Sequence, residues 1–228
     1  MTTINVNAIE SSTSTLTIGA SGNSVVAADS VNVNLVKDAS GATMWQSNGS
    51  GVLSNVNVGF GGALVLLNST TCSNTASVTY TLTNAYKEYI IKCITINPVT
   101  DNVQLQFQVS NDGTNYNKTI TSTFYVAYNT ESGSPTGLTY DITWDQSQGT
   151  AFQTFFKEVG NDADQGCSAE LHLFNPSSTT YVKNFYARAT GTLHHQYVQD
   201  QYAAGYINDT AAMTSIRIKL SSGNINSG

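Results

Sequence analysis

The sequence predicts an all-β protein, and three observations carry that prediction. Apolar and polar residues alternate with a period of two along most of the chain. Helical periodicity is nearly absent, and Asn, Ser, Thr and Gly clusters punctuate the runs where turns belong.

In chain order, Val31-Asn-Val-Asn-Leu35 sets its apolar residues on one face and its asparagines on the other. The first 60 residues otherwise hold only short apolar runs, broken by Gly19-Ala-Ser-Gly22, Asp38-Ala-Ser-Gly41 and Asn48-Gly-Ser-Gly51. Strands that short bury too little surface to stand alone, so this segment is expected to wrap around sister copies as a β-stalk or to dock on a partner as an arm. Gly59-Phe-Gly-Gly62 reads as a joint, which gives an attachment segment over 1–60 and a head domain over 61–228.

Within the head, Tyr86–Asn97 and Lys118–Tyr128 are rich in β-branched and aromatic residues and read as central strands. Val103–Val109, Ser168–Leu173 and Ser215–Leu220 alternate cleanly, as half-buried strands do. Asn111-Asp-Gly-Thr-Asn115 predicts a hairpin between two of these runs. Ser132–Gly137, Asn175–Ser178 and the acidic 160–166 stretch are loops. Phe152–Val159 and Gln199–Gly205 are the only helix candidates. Eight or nine strand candidates suit a two-sheet sandwich of jelly-roll type.

Composition narrows the function. Hydrophobic residues make up 40% of the 228, enough for a core, while charged residues reach only 11%, against roughly 25% in an average soluble domain. Such a surface is expected where identical subunits pack closely. The formal charge is −6 and the nine basic residues are scattered, so the basic stripe of a nucleic-acid binder is missing and no membrane partner is expected. No basic n-region with an apolar h-region opens the chain, and assembly in a reducing cytoplasm is the expectation. Cys72, Cys93 and Cys167 are too few and too dispersed for a disulfide framework and are expected to be buried small hydrophobes.

Candidate chemistry is sparse. Asp162 and Asp164 have the Asp-x-Asp spacing of calcium loops. The twelfth-position Glu and the flanking helices are missing, so a solvated acidic turn is expected and no metal or other cofactor is assigned. His194 and His195 are adjacent and point to opposite faces if they lie on a strand, with only His172 elsewhere. Asp141 and Asp145 flank Trp144, the residue types of a sugar site, but a glycosidase needs a spaced carboxylate pair in a cleft. No Gly-x-Ser-x-Gly elbow is present and no catalytic residue is assigned. Tyrosine, twelve residues against two tryptophans, supplies the interface candidates Tyr181, Tyr186, Tyr197, Tyr202 and Tyr206, with His194 and His195 beside them.

Four stretches carry a resemblance: Leu35–Gly51, Phe107–Tyr116, Glu170–Tyr181 and Lys219–Ile225. In order and company they resemble virion structural proteins of marine tailed bacteriophages such as cyanophages. That resemblance implies a virion component and no catalysis, and the expected place is the virion surface, after assembly in the host cytoplasm, with other virion proteins as partners. It hands over no functional residues. Members usually run on past the Ser-Ser-Gly-Asn-Ile stretch into one more strand, so either the sequence is trimmed or the last strand comes from elsewhere, and a sandwich lacking it is expected to leave an open sheet edge. Together the readings predict a homotrimeric fibre or appendage subunit that contacts a host-surface glycan or protein. A capsid decoration protein and a carbohydrate-binding module are the alternatives.

Overall fold

The computed structural model describes residues 35–38, 40–47, 53–54, 64–193 and 197–228. The Gly19–Gly22, Asn48–Gly51 and Gly59–Gly62 breaks, most of Val31–Leu35, and His194–His195 lie outside the described residues. Every described element is a strand, so the protein is all-β. The chain divides into two units, Met1–Leu67 and Asn68–Gly228.

In the first unit, β1 (Leu35–Lys37), β2 (Thr43–Ser47) and β3 (Leu53–Ser54) form an antiparallel three-stranded sheet. Asp38 makes the β1–β2 turn: its carboxylate accepts from the Ser40 and Ala42 backbone N–H groups and from the Ser40 hydroxyl. Those bonds hold its pKa below the ordinary aspartate value, the Ser40 hydroxyl contributing most. Gly41 sits there at φ +87°, a left-handed conformation that other residues enter at a cost.

Among the described residues the second unit contains thirteen strands: β4 (Ser73–Thr75), β5 (Ser77–Thr81), β6 (Glu88–Pro98), β7 (Val103–Ser110), β8 (Ile120–Thr130), β9 (Thr136–Tyr140), β10 (Ser147–Gly149), β11 (Gln153–Val159), β12 (Gly166–Phe174), β13 (Lys183–Thr192), β14 (Tyr197–Ile207), β15 (Ser215–Leu220) and β16 (Ile225–Ser227). A large curled sheet runs β10-β8-β14-β13-β12-β6-β16-β4, with β9 also paired to β8. A four-stranded sheet, β11-β7-β15-β5, packs on one of its faces. All pairings are antiparallel.

The core lies between these sheets because the alternation puts Phe185, Ala187 and Ala189 of β13, Leu171 and Leu173 of β12, and Phe124 and Val126 of β8 on the inner face. Leu105, Phe107 and Val109 of β7 meet them from the other side, all with 0% exposure. Phe107 joins the layers: its ring lies 5.0 Å from Phe185 and 6.0 Å from Phe155, edge-on to both. Polar links cross as well. Gln153 of β11 accepts from the Ser122 hydroxyl of β8 at 2.7 Å, and Gln201 of β14 accepts from the Lys157 backbone N–H at 2.7 Å.

Three expectations are corrected. The two helix candidates are strands, β11 and β14. In β11 the adjacent Phe155 and Phe156 are both buried beside register irregularities, and in β14 Gln199 and Gln201 face inward, so both strands lack clean alternation. The 111–115 turn closes no hairpin. β7 belongs to the four-stranded sheet and β8 to the large one, so residues 111–119 arch between layers. Asp112 orders that arch by accepting from the Thr114 and Asn115 backbone N–H groups. Finally, Ile225–Ser227 sits between β6 and β4. The large sheet's edges fall at β4 and beside β8, where β10 and β9 pair, not at the chain's last residues.

Cys72, Cys93 and Cys167 are free and buried. Burial pushes the Cys93 thiol up to about 12 and raises Cys167 as well, so these two thiols stay protonated.

Candidate functional site

The outer face of the large sheet is where chemistry-bearing side chains converge. Antiparallel register aligns one residue from each of six strands: Tyr140 (β9), Tyr125 (β8), Tyr202 (β14), Arg188 (β13), Glu170 (β12) and Lys92 (β6). At the usual strand spacing this row spans about 24 Å. One half is aromatic and the other charged.

Each member is held by a neighbour. Tyr125 and Tyr202 stack at 4.7 Å with their rings 7° from parallel. The Arg188 guanidinium lies 5.3 Å from the centre of the Tyr202 ring. It donates to Asp200 through Nε at 3.0 Å and Nη2 at 2.8 Å, and the Tyr202 hydroxyl donates to the same carboxylate at 3.1 Å. Arg188 lowers the Asp200 pKa, and the carboxylate in turn raises that of the guanidinium. Lys92 Nζ meets Glu170 at 3.0 Å, and Tyr140 donates to Asp145.

The next row carries Tyr186 opposite His172. Their rings stack at 4.4 Å, and Phe174 lies 5.7 Å from Tyr186. His172 is buried, with Nδ1 2.6 Å from Glu88 and Nε2 2.6 Å from Glu170. A carboxylate has no proton to donate, so a carboxylate at each ring nitrogen favours the doubly protonated ring. Burial opposes that charge, but the bonds to Glu88 and Glu170 outweigh it and the pKa lies above the ordinary histidine value. The His172 bond, followed by Lys92, pulls Glu170 below the glutamate value.

On the other side of the row the small side chains Ser168 and Thr190 floor a shallow depression of about 540 Å³, walled by Lys92, Glu170, Arg188 and Asp200. Ile94, 66% exposed, stands at its rim. Leu138 and Tyr140, 73% and 51% exposed, extend the apolar end along β9.

No family model matches the chain, and no curated protein or solved structure matches it at a significant level. The site therefore has to be read from its own geometry.

The interface candidates fall in different places. Tyr186, Tyr202 and Tyr206 lie on this outer face, in β13 and β14. Tyr181 is exposed in the loop before β13. Tyr197 is half-buried against the core and lines a depression of about 260 Å³ with Tyr128, Pro135 and Lys157. His194 and His195 lie outside the described residues. Asp162 and Asp164 are exposed in their turn, where the Asp162 carbonyl accepts from the Gln165 N–H. Among the described residues no three His, Cys, Asp or Glu side chains gather as metal ligands do. Asp141 is paired with Lys157 at 2.9 Å and Trp144 packs on the core, so the Asp141–Trp144–Asp145 stretch presents no spaced, unpaired carboxylates. Sequence reasoning missed Tyr125, Arg188, Asp200 and the His172 clamp. The Ser168–Leu173 alternation already places Ser168, Glu170 and His172 on one face, and that signal could have found the clamp.

Proposed function

We propose that this chain is a non-enzymatic structural subunit of a tailed-bacteriophage virion, a trimeric surface fibre or appendage protein. In this reading the first unit attaches to the particle and to sister copies. The second presents its outer sheet face to a macromolecular partner, either another virion protein or the host surface. The observation that carries it is the six-strand row. Its aromatic and charged side chains are already fixed by neighbours, so docking a protein there costs little side-chain entropy.

The geometry favours a protein contact over sugar stacking. A sugar needs a free ring face, and both faces of Tyr202 are taken, by Tyr125 and by Arg188. The low charge of the chain supports repeated packing of identical copies. Light scattering on the purified chain, together with immunogold imaging of particles, tests the reading. A mass near three times the 24.3 kDa chain, with label on the particle surface, is the expected result. A stable monomer never found in particles would overturn it.

A further inference from the structure

The last residues of the first unit stand out against the rest of the described chain. Leu64, Val65, Leu66 and Leu67 are 69%, 41%, 84% and 55% exposed. Four successive aliphatic side chains open to water are rare unless a partner covers them. Their backbone is open too: from Leu64 to Thr71 no backbone hydrogen bond to the described chain is made. An open backbone with apolar side chains is the template on which another chain adds.

A separate observation says which chain. From Ala39 through Tyr86 the sequence contains no Asp, Glu, Lys, Arg or His, although the protein carries 15 acidic and nine basic residues. The exclusion of charge is therefore local and centred on the open segment. On a symmetry axis a side chain meets its own copies, so a charge there would face a like charge. A foreign partner imposes no such rule and is commonly steered by complementary charges.

We infer that Leu64–Leu67 is the seam through which copies of this chain associate, sister segments covering one another's aliphatic side chains and open backbone. This rests on the self-assembling reading given above and names the place where assembly happens.

The experiment compares full-length wild type with Leu64→Asn/Leu66→Asn by light scattering at micromolar concentration, with thermal unfolding as a check on the second unit. Neither leucine belongs to the buried core, so the unfolding transition of the head should be unchanged while association weakens about a hundredfold or more. In a second arm, Leu66→Cys is oxidised. The three native cysteines are buried, so cross-linked chains report contact at position 66. An oligomeric wild type with a monomeric double variant and cross-linked Leu66→Cys is the expected outcome. An oligomeric wild type whose double variant keeps its mass, or whose Leu66→Cys chains fail to cross-link, overturns the seam and leaves the assembly reading standing. A monomeric wild type overturns both, and assigns the segment to a foreign partner.

Discussion

Replacing His172 by Gln should remove a pH dependence that the wild-type protein owes to one ring. His172 donates from Nδ1 to Glu88 and from Nε2 to Glu170, both at 2.6 Å, and Glu170 also meets Lys92. Tyr186 and Phe174 stack beside the ring, and Arg188 is the next charge on the neighbouring strand. A hydrogen bond to a charged group contributes about 1.5–3 kcal/mol when shielded. The Glu88 and Glu170 side chains are 43% and 42% exposed, so solvent screening reduces the pair to about 1 kcal/mol in total. The folded-state pKa is raised above the unfolded value. The stabilisation is therefore fully present below pH ~6.5 and is lost as pH rises through the higher, folded-state value. Urea unfolding from pH 5 to 9 should show wild type losing about 1 kcal/mol more than His172→Gln across that window, and NMR should place the ring titration above the ordinary histidine value. Identical pH profiles for the two proteins, or a ring that titrates below ~6.5, would refute the clamp.

Three further outcomes follow from the packing. Phe107→Ala deletes the ring joining the two sheets and should cost about 3–5 kcal/mol in denaturant unfolding; a loss under about 1 kcal/mol would mean that the layers do not meet there. Gly205 sits where an added Cβ would collide with the Thr121 carbonyl of the adjacent strand. Gly205→Ala should therefore wedge β14 from β8 and cost about 1–3 kcal/mol, read as a lowered melting temperature with faster amide exchange in both strands. A thiol reagent at mild alkaline pH should label none of Cys72, Cys93 and Cys167 in the folded protein and all three in denaturant; rapid labelling of the folded protein would contradict their burial.

The strands were legible where one face meets the core and the other meets water. Ser168-Ala-Glu-Leu-His-Leu173 sends Ala169, Leu171 and Leu173 inward and sets Ser168, Glu170 and His172 on the outer face, as a period of two requires. β14 was not legible, because Gln199 and Gln201 are buried, Gln201 bonding across the layers to the Lys157 backbone and sideways to Gln199, and Tyr202 points out. Its polarity pattern is inverted, and the local Gln-Tyr-Ala-Ala reads as helix. The candidate site was legible in composition and not in arrangement. Tyrosine enrichment pointed to Tyr186, Tyr202 and Tyr206, but the partners came from register. Arg188 finds Asp200 across one strand pair, whereas Glu88 reaches His172 across 84 residues of sequence. The 111–115 turn shows the same limit. Turn residues specify a bend and do not say whether the next strand joins the same sheet or the opposite one.

The charges on the outer face also constrain how it can recruit a partner. Lys92 is matched by Glu170 and Arg188 by Asp200, so these four charges cancel. A cancelling set projects almost no field beyond a Debye length, about 8 Å at physiological ionic strength. Encounter at this face is then governed by the exposed aromatic and aliphatic side chains Tyr125, Tyr140, Leu138 and Ile94, not by long-range attraction. Association rates measured on Tyr140→Ala and wild type should therefore differ from each other while each changes less than about threefold between low and high salt. A rate that falls tenfold or more with added salt would show steering by an uncompensated charge, and the row would not be the surface that the partner meets first.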